Sequence, residues 1–215
     1  MSGIMLAFAG GSFGEPPPTV IGQAYGGGFY AGQIGVSSVA THYLVVGPVS
    51  SADVSGKQWK NANTDTTGAA SFIDGPQNTA DMVGQGSSTV YPAAHFCNDL
   101  VIGGYTDWYM PAMNELEVCY YNLKPTTTSN NTSAGINPNA VPARASTYTA
   151  GTPAQTSSAA FKDTGAEDFS TLTTYWTSTE QTLSSAYGQG FSDGNQNGSV
   201  KAESFRVRAI RRIPV

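Results

Sequence analysis

Tyr175-Trp176-Thr177-Ser178-Thr179-Glu180, then Ala186-Tyr187, Phe191-Ser192-Asp193-Gly194 and Phe205-Arg206-Val207-Arg208-Ala209-Ile210-Arg211 form the stretch whose reading decides the fold. Phe205, Val207 and Ala209 alternate with Arg206 and Arg208, the period of two of a half-buried strand. Asp193-Gly194 and Asn197-Gly198 are turn signals between strands. Upstream stands Gly103-Gly104-Tyr105-Thr106-Asp107-Trp108-Tyr109-Met110-Pro111, closed by Glu115-Leu116. From Pro111 the period changes. Met113, Leu116, Tyr120 and Leu123 make one apolar stripe at helical spacing, with Cys119 beside it. Glu115 and Glu117 suit the positive amino end of that helix, and Lys124-Pro125 stops it. An earlier helix starts at Pro92 and carries Phe96, Cys97 and Leu100 three or four apart. Helices near 92–100 and 111–123 beside a small, twisted, mainly antiparallel sheet predict an α+β domain.

The rest of the chain is read outward from there. Residues 1–20 end in Glu15-Pro16-Pro17-Pro18, an extended spacer. It serves either as an arm that docks on a partner or as a terminal strand packed on the chain's own domain. The domain proper is expected over 21–215. Residues 21–36 are Gly-rich with Tyr25, Phe29 and Tyr30. Thr41 to Pro48 reads as a mostly buried strand stopped by Gly-Pro. Residues 50–90 read as short strand-like pieces between turns, anchored by Trp59, Phe72 and Ile73. Residues 124–160 are a long run of Thr, Ser, Asn, Pro and Ala, and loops of that length are often functional.

Composition narrows the function classes. The 215 residues are 12% charged, about half of the roughly 25% typical of soluble domains. Gly, Ser, Thr and Asn replace the ions, a tendency of extracellular and virion proteins. At 40% hydrophobic, the chain can bury a sizeable core. A net charge of −5 argues against a nucleic-acid partner held by phosphate neutralisation. The apolar start lacks a preceding Lys or Arg and breaks at Gly10-Gly11. It fits neither a standard signal peptide nor a spanning helix, so no membrane insertion is expected. The two cysteines, Cys97 and Cys119, are expected as reduced, buried thiols rather than a disulfide framework.

Each chemical motif has a plainer explanation. Gly10-Gly11-Ser12-Phe13-Gly14 fits a nucleophile elbow, but prolines follow where a helix should begin. Gly26-Gly27-Gly28-Phe29-Tyr30-Ala31 fits a dinucleotide loop only loosely, and no helix pattern follows. Asp193-Gly194-Asn195-Gln196-Asn197-Gly198 matches half a calcium loop. Ser204 stands where the bidentate Glu belongs, so a hairpin turn is expected instead. His42 and His95 lack metal-ligand spacing, and His95 and Cys97 fall on different helix faces. Arg206, Arg208, Arg211 and Arg212 are expected as outward strand positions in ion pairs or over aromatic rings. No catalytic residue, metal or cofactor is expected.

The ordered motifs from Gly104 to Leu116 and from Tyr175 to Arg211 resemble the Lcl carboxy-terminal domain family. The likeness covers roughly 93–213, more weakly from about 28. The family's usual Trp-Arg-Leu-Pro is Trp108-Tyr109-Met110-Pro111 here, so no role of that Arg carries over. The resemblance implies a C-type-lectin-like fold, with Trp108 and Trp176 pinning loops to the sheet. The Gly-rich stretch, Tyr30-Ala31-Gly32 and the 124–160 insertion look most like tailed-phage versions. That likeness implies a non-enzymatic virion protein, a tail-fibre or tail-tip adhesin for a host cell-surface glycan or protein. The alternative is a capsid decoration or neck protein that binds other virion proteins. Either would contact the particle through the amino-terminal arm, and a homo-oligomer such as a trimer is compatible with both. Candidate ligand contacts are Tyr187, Gln189, Asp193, Asn195, Gln196 and Asn197, with Asn137 and Tyr148 of the long loop behind them. This face depends on Phe191 turning inward while Tyr187 and Gln189 stay exposed.

Overall fold

Strands β1 (Ala24–Tyr25), β2 (Gly28–Val36), β3 (Val39–Val46) and β9 (Ile210–Pro214) pair in that order, all antiparallel. A second sheet runs β4 (Asp53–Gln58), β8 (Ser204–Arg208), β5 (Thr174–Thr182), β6 (Ser185–Gly190), β7 (Gln196–Val200). Only β5 and β8 are parallel, meeting at Tyr175 and Arg206. The computed structural model describes residues 16–215. The architecture is α+β with two sheets, where the sequence pattern suggests one. The reason lies at Ala209. It donates to the Ala52 carbonyl and accepts from the Gly47 amide, so the chain changes partners there and β8 and β9 enter different sheets. Most of the arm expected over 1–20, including the Gly10–Gly14 motif, lies outside the described residues.

The helices are α1 (Val49–Ala52), α2 (Gly75–Gln85), α3 (Pro92–Asn98) and α4 (Met113–Leu123). None is long and apolar enough to cross a membrane among the described residues. Helices α3 and α4 match expectation to within a few residues. Helix α4 is buried nearly all round, from Met113 to Tyr120 and again at Leu123. Its first turn is capped by one of its own side chains and by one from β5. Glu115 reaches back to the Ala112 amide at 2.8 Å, and Thr179 of β5 takes the Met113 amide at 3.0 Å.

Helix α2 contradicts the strand-like reading of 50–90. Asp74 caps it by accepting from the Gln77 amide, and Pro76 fits its first turn. Its buried face carries Asn78 and Thr79 beside Met82. Asn78 bonds Ser71 and Ser178, and Thr79 bonds the Gly75 carbonyl and the Met110 amide. A helix buried through satisfied polar groups shows no apolar stripe. Trp59 is core as expected, but Phe72 and Ile73, leading into α2, stay 44% and 38% exposed.

Two apolar clusters fill the interior. One surrounds α4 and stacks Phe169 on Phe191 at 3.8 Å, with Tyr175 and Tyr120 edge-on to Phe191. The other gathers Trp59, Tyr91, Trp108, Trp176, Met82 and Val207. Cys119 sits in the first and Cys97 in the second, both free and buried.

The carboxy-terminal arginines are paired, but not all outward. Arg208 is buried, bonded to Glu167 and the Gly47 carbonyl and lying over Phe169. Arg211 grips Asp107 with two bonds of 2.8 Å and covers Tyr105. Arg206 and Arg212 pair with Asp53 and Asp74. Apolar alternation misplaces Arg208 because a guanidinium fully met by acceptors can be interior.

The β2–β3 hairpin turns at Ser37 and Ser38, both at positive φ (50° and 64°). Ser38 also accepts from the Ala143 amide at 3.0 Å, so Ser37 is the residue free to change. Asn tolerates the left-handed region and a β-branched residue does not. Ser37→Asn is expected to raise unfolding free energy by about 0.5 kcal/mol, and Ser37→Val to lower it by about 1–2 kcal/mol. Paired urea titrations read both. Equal stability of the two variants would refute the assignment of strain.

Candidate functional site

The β6 face that carries Tyr187 and Gln189 turns inward. Phe191 is fully buried in the aromatic stack, and Gln189 is buried with it. Gln189 accepts from the Gln196 amide group at 3.0 Å. Tyr187 is half-buried, its ring 5.2 Å from that of Phe72. No bulge separates Gln189 from Phe191, so strand alternation sends both to the core. As a ligand contact Gln189 is therefore corrected, and Tyr187 keeps only part of its surface. Asn197-Gly198 is not a turn either. It lies inside β7, opposite Gly188 and Tyr187.

The Asp193-Gly194 turn is present. Gly194 has φ 78° and its Cα faces the Tyr120 ring so closely that a Cβ would stand 2.4 Å from Cε1. Asp193 accepts from the Asn195 amide at 3.0 Å, so its carboxylate holds the turn. The long excursion docks on this turn. The Asn131 amide donates to the Asp193 carbonyl at 2.8 Å, and its side chain donates to Asn195 Oδ1 at 2.8 Å. Gln196 Oε1 accepts from the Gly135 amide at 3.2 Å. Two regions that sequence treats as separate candidates thus form one surface. Asn197 stands exposed on it. A cleft of about 280 Å³ runs between 171–174 and Ser192, Asp193 and Asn195, with Leu172 fully presented at its lip. A groove of about 300 Å³ opens within the excursion beside Tyr121, Arg144 and Thr147.

Buried charge holds the excursion still. Glu117 of α4 accepts from Asn137 at 2.6 Å and Tyr148 at 2.8 Å, and pairs with Arg144, whose guanidinium lies 4.0 Å over Tyr121. Lys124, at the end of α4, donates to Asn130 at 2.7 Å and to the carbonyls of Thr128 and Pro153. Asn130 also accepts from the Tyr120 hydroxyl at 2.6 Å. Burial pushes the Glu117 carboxyl and the Tyr148 hydroxyl up and the Lys124 ammonium down. Asn137 and Tyr148 are consequently buried struts, not ligand contacts. Sequence reasoning missed Glu117, Lys124, Asn130 and Arg144 as a group. Their signal is weak: single charges flanking a polar run.

A second buried carboxylate lies where α4, β9 and the Trp108–Pro111 segment meet. Glu115 accepts from the Tyr109 hydroxyl at 2.7 Å, with Arg212 at 4.0 Å. Burial raises its carboxyl to about 7, against the pull of those hydrogen bonds and of Arg212. A folded-state value above the unfolded one means that the native state binds the extra proton. Stability should therefore fall as pH rises from about 4.5 to 7. Glu115→Gln should flatten that slope, leaving the fall due to Glu117 and the opposing rise from His42, whose imidazole burial pushes down. Urea midpoints across the window check this, and an unchanged slope would refute it.

His95 bonds the Gly86 carbonyl at 2.7 Å and faces Asp99, while Cys97 is sealed in the core with its thiol pushed up by burial. Among the described residues, no three of His, Cys, Asp and Glu gather as a metal would need.

A family model described as the Lcl C-terminal domain matches residues 51–211. No curated protein matches the chain. Among solved structures, a fimbrial protein from Bacteroides ovatus ATCC 8483 is similar at TM-score 0.46 and 13% identity, over 85% of this chain and 43% of that one. The chain thus spans under half of that protein.

Proposed function

This chain belongs to the Lcl C-terminal domain family, and on that premise we propose that it is a non-enzymatic recognition module with a C-type-lectin-like fold. It acts as an adhesin on a virion appendage, a tail fibre or tail tip, and contacts a host cell-surface glycan or protein. The observation that carries this reading is the docked excursion. Residues 124–160 are pinned by Glu117, Lys124 and Asn130 and joined to the Asp193 turn, so their exposed hydroxyls and amides are held in place before any partner arrives. Preorganised side chains lose little freedom on binding, which favours affinity. Asn197, Leu172 and the rim of the 171–174 cleft are the contacts of this surface.

The rival reading is a structural virion protein. Val36 and Val39, exposed at the tip of the β2–β3 hairpin, favour it as a place for a neighbouring virion protein. Counting copies on purified particles separates the two. A handful at the tail supports the adhesin, and hundreds on the shell support decoration.

The site is tested by substitution. Asn197→Ala should weaken attachment to host cells while changing stability by under about 0.5 kcal/mol. Asn195→Ala is different, because its amide is tied to Asn131. It should cost about 1 kcal/mol and loosen the excursion. Attachment unchanged by Asn197→Ala and by Leu172→Ala together would remove this surface as the site.

A further inference from the structure

Three of the four strands at the sheet edges are blunted. Strand β1 is only Ala24–Tyr25. Strand β4 loses register between Val54 and Lys57, with Gly56 at φ 70° and the charge of Lys57 beside it. Strand β9 carries Arg211 and Arg212 and ends at Pro214. Short strands, bulges, charges and proline are the means by which a sheet avoids pairing with another chain. The fourth edge, β7, has none of the last three. Its residues Gln196-Asn197-Gly198-Ser199-Val200 are uncharged and follow β6 in unbroken register from Gln189 to Ser185.

Two hydrogen bonds fix which side of β7 is open. The Gly190 amide donates to the Asn195 carbonyl at 2.8 Å, and the Lys201 amide donates to the Ser184 carbonyl at 3.1 Å. Main-chain bonds alternate sides along an antiparallel strand. Asn197 and Ser199 therefore bond β6, while Gln196, Gly198 and Val200 point N–H and C=O away from it. No other strand among the described residues meets those groups. The Val200 carbonyl takes the Glu203 amide at 2.9 Å, and a carbonyl can accept a second bond. Gly198 is exposed, and having no side chain, what it exposes is main chain.

The outward groups are their own complement. Gln196 and Val200 flank Gly198 at equal spacing. On a two-fold axis at Gly198, each Gly198 exchanges both bonds with its counterpart, and each Gln196 does so with Val200 of the second copy. The ends match as well. Gln196 accepts the Gly135 amide, which brings the exposed Ile136 to one end of β7. Lys201 Nζ donates to the Leu183 carbonyl, which brings the exposed Leu183 to the other end, beside Val200. An antiparallel pair sets the Ile136 end of one copy against the Leu183 end of the other, so apolar side chains cover each other. Charge favours a copy of the same chain. At a net −5, two copies repel elsewhere, but between Glu180 and Lys201 the only charged residue is Asp193. An oppositely charged partner would gain little on such a strand.

We propose that β7 is the interface of a two-fold dimer, pairing antiparallel with β7 of a second copy and joining the two β7-bearing sheets into one. The inference goes beyond the recognition reading and stands without it.

Sedimentation of the full chain over a roughly hundredfold range of concentration should show a dimer that dissociates on dilution. Amide exchange on the same samples locates the contact. The Gln196, Gly198 and Val200 amides should gain protection as the dimer fills, whereas those of Asn197 and Ser199 are protected at every concentration. Val200→Pro removes an outward donor and leaves the β6 ladder whole, since proline is tolerated where an edge N–H faces solvent. It should weaken dimerisation by about tenfold or more. Leu183→Lys, at an exposed turn, should weaken it by about threefold or more, and it decides the matter if the proline variant fails to fold. A monomer at every concentration overturns the proposal, as does a trimer. So does a dimer whose outward β7 amides exchange as in the monomer, or one that the folded variants leave intact. If deleting residues 1–15 abolishes both the dimer and the Gly198 protection, the amino-terminal arm is the occupant and the proposal falls.

Discussion

Trp176→Ala is expected to lower the unfolding free energy by roughly 3–5 kcal/mol, the range of large-to-small changes at fully buried aromatic sites. Trp176 is completely enclosed, lies 4.6 Å from the Phe205 ring, and donates its N–H to the Lys57 carbonyl. The truncation leaves a cavity between β5 and β8 and an unmet carbonyl on β4. Trp176→Phe keeps most of the apolar volume and should recover about half of the loss. Urea unfolding of the three proteins checks this. A loss below about 1 kcal/mol for the alanine variant would contradict this packing.

Glu117→Ala should cost a similar ~3–5 kcal/mol, for a different reason. It removes one acceptor of Asn137 and the acceptor of Tyr148, and leaves the Arg144 cation without a carboxylate. The carboxyl is itself pushed up by burial, so the pair is not a stabilising gain in its own right. Removing half of it is what costs. Replacing both partners, as in Glu117→Leu with Arg144→Met, should therefore return much of the loss. The local signature is faster amide exchange and protease cutting within 124–160, ahead of the strands. Equal protection of that segment in the alanine variant would show that Glu117 does not hold it.

Much of the fold is legible where one physical signal dominates. Helix α4 shows its apolar stripe, α3 its proline start, and the tryptophans sit in the core that their size demands. Legibility fails where polar groups are interior. Helix α2 buries Asn78 and Thr79, Arg208 is enclosed by acceptors, and Gln189 follows Phe191 inward. In each case hydrogen bonding replaces apolar area, and residue type no longer reports burial. Within the candidate surface, the Asp193 turn and the long excursion each carry a readable local signal. Their union does not, because Asn131 and Asn195 meet across 64 residues. The exposed pair expected at Tyr187 and Gln189 needs a bulge that β6 does not make.

The crossing at Ala209 bears on how the chain acquires its shape during synthesis. Strands β8 and β9 are the last of the described elements to be made, yet β4 and the free side of β3 both wait for them. Arg211 must find the Gly26 carbonyl 185 residues behind it, and Arg208 must find that of Gly47 161 residues behind. Until those residues emerge from the ribosome, β3 presents an open edge to other nascent chains. The hairpin of β2 and β3 and the β5–β6–β7 meander can form early from neighbouring sequence, whereas joining the two halves is a late, long-range closure of the slow kind. Exposed only as far as Val200, a nascent chain would hold two incomplete half-structures, and recovery of native protein should depend on how soon β8 and β9 follow.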